Sequence, residues 1–286
     1  MSRALRIPGL VDVITVSDPA MVEALAADPD LDRTAKGGPL LVRVLRHRTA
    51  AALSSPQGPL PSAMPRDDAE RHKLRDALAA QLSDPDLDAA LVKPVASAAT
   101  FVAGGAGQAG TLAQTIFGRV FVADFTANDD SWTAAEIIGR AVGTPSLKGL
   151  IEALTAARLG AQVTLSRAMH GDRNGIHAIG VAVHNFATML ELMRALDRTT
   201  PRNQALAKTL LPPERVARQG MSIAETRAGR LRPGTFVILE TRTAGRRRLD
   251  PAMTFLSGSW SGCPAHAFVP KIAAQIWRQA GGRDDD

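Results

Sequence analysis

Residues Thr254–Phe268 read TFLSGSWSGCPAHAF and hold Cys263, the only cysteine of the chain. Ser and Gly crowd round the thiol, Pro264 follows it, and a helical pattern runs on to Ala280. A structural cysteine usually sits among apolar neighbours as a small hydrophobe. This one is presented to something. A single thiol also excludes an internal disulfide and a cysteine-rich zinc site. Gly allows close approach of backbone to a ligand, and a helix beginning behind the cysteine turns its positive end toward the sulfur.

The surrounding composition is that of a helical globular protein. Of 286 residues, 45% are hydrophobic and only 4% aromatic, with no Tyr, which favours helix over sheet. The N-terminal MSRALRIPGLVDVITV lacks a long apolar signal region, and no run approaches the roughly 18 apolar residues of a membrane span. A cytoplasmic setting without a membrane partner is expected. The net charge of +6 invites a nucleic-acid reading. However, the basic residues are dispersed among 28 acids, and the dense run Arg246–Arg248 lacks interleaved aromatics, so no nucleic-acid partner is expected.

Val11–Val16 alternates as a strand, and Asp18-Pro19 is a helix start. Pro39–Pro65 reads mostly as loop, with a short helical or extended piece at LLVRVLRH. Asp67–Asp84 is a helix of good formers, and PDLDAALVKPVASAATFVA continues helically with a perturbation at Pro94. Leu147–Met169 belongs to the helical set. Gly175–Arg198 is apolar on most sides and reads as a buried central helix. Pro233–Arg242 is the clearest strand, and Pro264–Ala280 is helical. With no repeat and no linker, residues 1–286 read as one domain, mainly α with a small β-sheet.

GAGQAG at Gly105–Gly110 fits the Gly-x-Gly-x-x-Gly pattern of a dinucleotide site, with Asp124 as a conceivable ribose acid. The preceding ATFVA is a poor strand and no second βαβ pattern follows. A plain loop is the better reading, with nucleotide binding third among the functional options.

FLSGSWSGCPAHA resembles the cysteine loop of the cytochrome P-450 family, Phe-x-x-Gly-x-x-x-Cys-x-Gly, with Phe255 and Gly258 at the family's mutual spacing and Cys263 one residue late. Other segments resemble the family in order. DDAERHKLR resembles Asp-Pro-Pro-Glu-His-x-x-Leu-Arg, which puts Arg71 and Arg75 in the positions that hold a haem propionate. AVHNFATMLELMRAL resembles the oxygen-binding central helix. LLPPERVAR lies where the Glu-x-x-Arg helix belongs, with Arg218 aligned. ETRAGRLRPGTFVILE resembles the Arg-x-Ala segment and the strand behind it, making Arg227 another propionate contact. GRVFVADFTANDDSW resembles the segment ending in Pro-Glu-Glu-Asp-Trp.

The resemblance implies a single cytochrome P-450-like domain, truncated in the lid helices and the meander. It implies haem b (iron protoporphyrin IX) with Cys263 as axial ligand, a thiolate that favours cleavage of a bound O–O bond. It further implies a small organic substrate, an acidic ferredoxin-type electron donor near Arg246–Arg248, and a site open enough to be completed by a second subunit. In the central helix Asn185 and Phe186 replace the family's acid and alcohol, which leaves His184 and Thr188 as candidate proton-relay groups beside Asn185. His184 reads equally well as a core histidine. Two functions stay open: an oxidative enzyme using dioxygen or peroxide, and a degenerate binding or auxiliary subunit without oxygenase activity.

Overall fold

The computed structural model describes residues 2–33, 37–142, 155–248 and 251–285. β1 (Ser2–Ile7) and β2 (Val11–Val16) form an antiparallel hairpin, with Gly9 at φ +73° in the turn. α1 (Pro19–Ala27) starts as its sequence dictates: the Met21 N–H donates to the Asp18 carboxylate at 3.0 Å and Pro19 fills the first position. β3 (Leu31–Asp32) precedes α2 (Leu40–Ala52), so the stretch expected to be mostly loop carries a full helix. β4 (Ser54–Ser55) and β5 (Gly58–Pro59) make a small ribbon.

Helices then dominate: α3 (Ala69–Leu82), α4 (Pro85–Val102), α5 (Ala109–Phe121), α6 (Asp129–Val142) and α7 (Ala156–Ala168). Asp68 caps α3 through the Glu70 and Arg71 N–H groups, and Asp84 caps α4 through Asp86. The first part of the expected Leu147–Met169 helical stretch lies outside the described residues. The central helix is α8 (Arg173–Ala195), interrupted by one π turn at Ala178–Ala182 where the Val183 N–H reaches back five residues to the Ala178 carbonyl. α5, α6 and α7 press on this turn, and Gly180 admits Ile138 and Leu165 close to the backbone.

One correction concerns the segments after α8. The short helix is α9 (Arg202–Thr209), and the expected Glu-x-x-Arg helix over LLPPERVAR does not form. Pro212 and Pro213 remove donors and force extended backbone, so Arg218 sits on a strand, β6 (Val216–Gly220). β7 (Ala224–Thr226) and β8 (Gly229–Leu231) form a hairpin, and β9 (Phe236–Leu239) is the core of the expected Pro233–Arg242 strand. α10 (Thr241–Arg248) and α11 (Pro251–Phe255) fill the short meander region, and α12 (Phe268–Gln279) follows the cysteine.

The main sheet runs β1-β2-β9-β6-β3, antiparallel except for the parallel β2–β9 pair. One core lies between helices α4, α5, α8 and α12, around Phe101, Ile116, Leu190 and Trp277. A second lies over the sheet, around Ile14, Leu31, Val237 and Met253. The mainly α fold with a small sheet is as expected. GAGQAG is an interhelical loop leading from α4 into α5, with no strand ahead of it, which removes the dinucleotide reading. The lid region keeps α6 and α7, packed on each other.

Candidate functional site

The cysteine loop hangs between α11 and α12. The Ser259 N–H bonds the Leu256 carbonyl, the Gly262 N–H bonds Ser259, and the Cys263 N–H bonds the Phe255 carbonyl at 2.8 Å. Leu256 adopts a left-handed φ of +46° to make this turn. A Cβ on Gly262 would lie 2.8 Å from the Leu256 carbonyl oxygen, whereas Gly258 faces open space. The glycine that the loop requires is therefore Gly262, adjacent to the thiol, and not the spaced Gly258. Phe255 is half-buried against the helical core and anchors the loop.

Behind Cys263, Pro264–His266 makes one 3₁₀ turn leading into α12. The thiol stands in a cleft of about 210 Å³ lined by Arg75, Asp76 and Ala79 of α3 and by loop residues including Ser259 and His266. Enclosure by protein pushes the Cys263 thiol up, while the Ala265 N–H and the charges of Arg75 and Arg33 favour its anion. An added positive centre is what would tip this balance toward thiolate.

Next to the thiol lies a concentration of positive charge. The guanidinium carbons of Arg71, Arg218, Arg33 and Arg66 stand 5.1, 5.2, 5.6 and 5.9 Å from the centre of the Trp260 ring. Arg71 donates to the carbonyls of Arg66 and Trp260 at 3.0 and 3.3 Å, and Arg218 donates to the Ser261 hydroxyl and the Ala217 carbonyl. Asp32, which also accepts from the Arg33 and Arg66 N–H groups, is the carboxylate that favours the charged forms of Arg33, Arg71 and Arg218. Burial, first, and mutual repulsion push Arg33 well below the usual range, and burial pushes Arg218 down to about 10. Nε of Arg71, Nε of Arg218 and Nε1 of Trp260 are buried donors that find no partner among the described residues. Four guanidiniums around Asp32, with the exposed Asp67 3.8 Å from Arg66 at the edge, leave positive charge and donors in excess, which is the chemistry of an anion site.

Arg33 and His177 are half-buried and Cys263 is exposed, and the charge of Arg33 reaches both of the others. Partly accessible side chains within electrostatic reach of one another border a shared hollow. His177, one residue before the π turn of α8, is pushed down to about 4 by burial and by Arg33, so it is a neutral imidazole at pH 7.

The sequence-derived candidates divide. Arg71 and Arg75 lie on α3 beside the cysteine loop. Arg227 is exposed in the β7–β8 turn and does not join them; Arg218 does, from β6. His184 packs edge-on to Trp132 at 5.1 Å and pairs its Nε2 with the Ala135 carbonyl, so it faces α6. The Asn185 side-chain oxygen accepts from Arg242 at 3.2 Å, and the exposed Thr188 hydroxyl donates to the His184 carbonyl. These three contacts point in different directions and none involves Cys263. Sequence reasoning missed Arg33, Arg66, Trp260 and His177. Only Trp260, an aromatic stranded among Ser and Gly three residues before the thiol, carried a signal.

No protein-family model and no curated protein matches the chain. Solved structures do. CYP154C4 from a Streptomyces species matches with a TM-score of 0.55 at 15% identity, over 98% of this chain and 83% of its own. A mycinamicin VIII methyl hydroxylase from Micromonospora griseorubida, bound to mycinamicin VIII, gives 0.58 at 12% identity, over 98% and 84%. A substrate-free cytochrome P450 from Mycobacterium marinum gives 0.56 at 15% identity, over 96% and 81%. The likeness is one of fold: this short chain has the cytochrome P450 fold.

Proposed function

We propose that the chain is a haem-thiolate protein that oxidises a small organic molecule. The observation that carries the reading is the meeting of the lone thiol with an arginine cluster whose buried donors find no partner among the described residues. The residues fit the group on both counts. Cys263 is the ligand, and Arg71 and Arg218, with Arg33 beside them, are suited to two carboxylates of one planar dianion. When bound, haem b supplies an iron centre whose thiolate ligand favours O–O cleavage.

The protein's own contributions follow from the site. Gly262 and the Ala265 N–H shape the seat of the sulfur. The arginines fix the orientation of the carboxylates, and the neutral His177 presents one polar group on the wall of the hollow. With His184 engaged by the Ala135 carbonyl and Asn185 by Arg242, neither side chain is placed to hand on protons. Peroxide, which arrives with its protons, is therefore the favoured oxidant over dioxygen. The mycinamicin hydroxylase binds mycinamicin VIII, a small organic molecule, and we extend only that class to this chain. Arg246 and Arg247, exposed on α10, suit an acidic ferredoxin-type donor if electrons are supplied. We place the protein in the cytoplasm on the same reading.

The test is a spectrum. Purified chain, supplied with haemin, reduced and exposed to carbon monoxide, should give a thiolate-type Soret band that Cys263→Ala abolishes. Failure to take up haem, or an unchanged band in the variant, overturns the reading. A second reading, a haem-binding auxiliary protein without oxygenase activity, is favoured by the divergence of His184, Asn185 and Thr188. It predicts the same spectrum with no product from either peroxide or a reductase system.

A further inference from the structure

The strongest unassigned feature lies at the opposite edge of the sheet from β3. In the β1–β2 hairpin, Ala4 and Arg6 pair with Ile14 and Asp12, and Ile14 belongs to the sheet core. Alternation therefore puts Arg3, Leu5 and Ile7 on the other face. All of β1 is exposed. The start of α2 is tied to the hairpin turn, because the Leu40 and Leu41 N–H groups donate to the Gly9 and Leu10 carbonyls at 3.2 and 3.1 Å. On α2, Leu40, Leu41 and Val44 share a side by i, i+3 and i, i+4 spacing. Leu5, Ile7, Leu10, Leu40, Leu41 and Val44 are each 40–58% exposed, so six aliphatic side chains form one patch.

Charge surrounds this patch with one sign. Residues 2–10 and 37–52 hold five arginines, one histidine and no acid; Arg48 is buried and Arg6 lies on the other face, paired with Asp12, which leaves Arg3, Arg43 and Arg46 with His47 on the patch side of these segments. Arg3, Arg43 and His47 are exposed or half-exposed. Asp12, the nearest acid in sequence, is buried and bonded to Arg6 and Thr235.

We infer that this face docks on an anionic lipid surface. An aliphatic patch with a basic, acid-free surround is the composition of a segment lying in a membrane interface. A second copy of the chain would bring Arg3 and Arg43 together with no acid to pair them. The patch has no aromatic or Met anchor of the kind that dominates protein interfaces. The expectation of no membrane partner rested on the lack of a spanning run, and surface docking needs none. The inference is independent of haem.

The test uses the full chain and sedimented vesicles of phosphatidylcholine alone or mixed with phosphatidylserine. Binding should occur on the mixed vesicles and fall with added salt. Leu41→Asp should weaken it about tenfold or more, and Arg43→Ala roughly fivefold, the worth of one basic residue near an anionic leaflet. Val92→Asp, at an exposed aliphatic on α4, should leave it unchanged. Circular dichroism checks folding, and the surface variant Arg43→Ala keeps the test open if Leu41→Asp misfolds. No binding to mixed vesicles, or binding indifferent to both patch variants, overturns the inference. So does a dimer, or a complex with an acidic protein, that Leu41→Asp dissolves while vesicles leave it intact.

Discussion

Replacing His177 by Gln removes a titrating group from the wall of the hollow. In the folded chain its pKa is pushed from 6.5 down to about 4, first by burial and then by Arg33. The unfolded chain binds that proton near pH 6.5, as a free histidine does. Between the two values the unfolded state carries a proton that the folded state lacks, so stability rises with pH across this window. It is fully present above roughly pH 6.5, falls as the pH drops, and stops falling near pH 4, where both states are protonated. A gap of about 2.5 units at 1.36 kcal/mol each limits the effect to about 3 kcal/mol. That is a large share of a typical stability of about 5–15 kcal/mol. Urea unfolding of both proteins between about pH 7 and about pH 4.5 measures it, and the carboxylates common to both cancel in the difference. The wild type should lose about 2.5 kcal/mol more than His177→Gln over this range. Parallel curves for the two proteins would refute the placement of His177 in a water-poor wall beside Arg33.

Gly262→Ala drives a Cβ into the Leu256 carbonyl oxygen and should cost about 1–3 kcal/mol in urea unfolding, while Gly258→Ala should change stability by less than about 0.5 kcal/mol. Arg218→Met removes the burial cost of a charge, and with it the repulsion from Arg71, so the haem-free chain should unfold at the same or higher urea concentration while haem titration shows affinity reduced about tenfold; a large loss of haem-free stability would contradict an anion site. Neutralising Arg246 and Arg247 together should slow association with an acidic ferredoxin in stopped flow, and raised salt should reproduce the loss in the unmodified protein. Salt-indifferent association would assign those arginines to solvent.

Local chemistry made much of the fold legible. Asp18-Pro19 and Asp84-Pro85 mark their helix starts with a cap and a preset φ, and the apolar run in Gly175–Arg198 marks a helix that the core needs. Cys263 stood out because one thiol among glycines has few structural roles. The arginine cluster was half legible. Arg71 and Arg75 share a helix and a spacing, but Arg33 and Arg218 come from the end of β3 and the middle of β6, and only sheet pairing joins those strands. Arg227 and Arg218 are alike as letters, and burial alone separates them: one ends a hairpin turn, the other faces inward from a strand. His184 and His177 are likewise indistinguishable without the π turn.

That turn has a consequence for how the central helix is phased. In an unbroken α-helix, residues 177, 184 and 188 repeat at seven and eleven positions and fall on one stripe. His177, His184 and Thr188 would then form a polar ladder along a single side of α8. One inserted residue advances the downstream half by about 100° and swings the lower two rungs away. His184 is turned onto Trp132 and Ala135, and Asn185 meets Arg242. Deleting a residue within Ala178–Ala182 would not restore the ladder, because it leaves the polar groups six and ten positions apart and still roughly 100° out of line; only rewinding the turn at unchanged length would align them, and the insertion works as a clutch that disengages two of the three polar groups from the third.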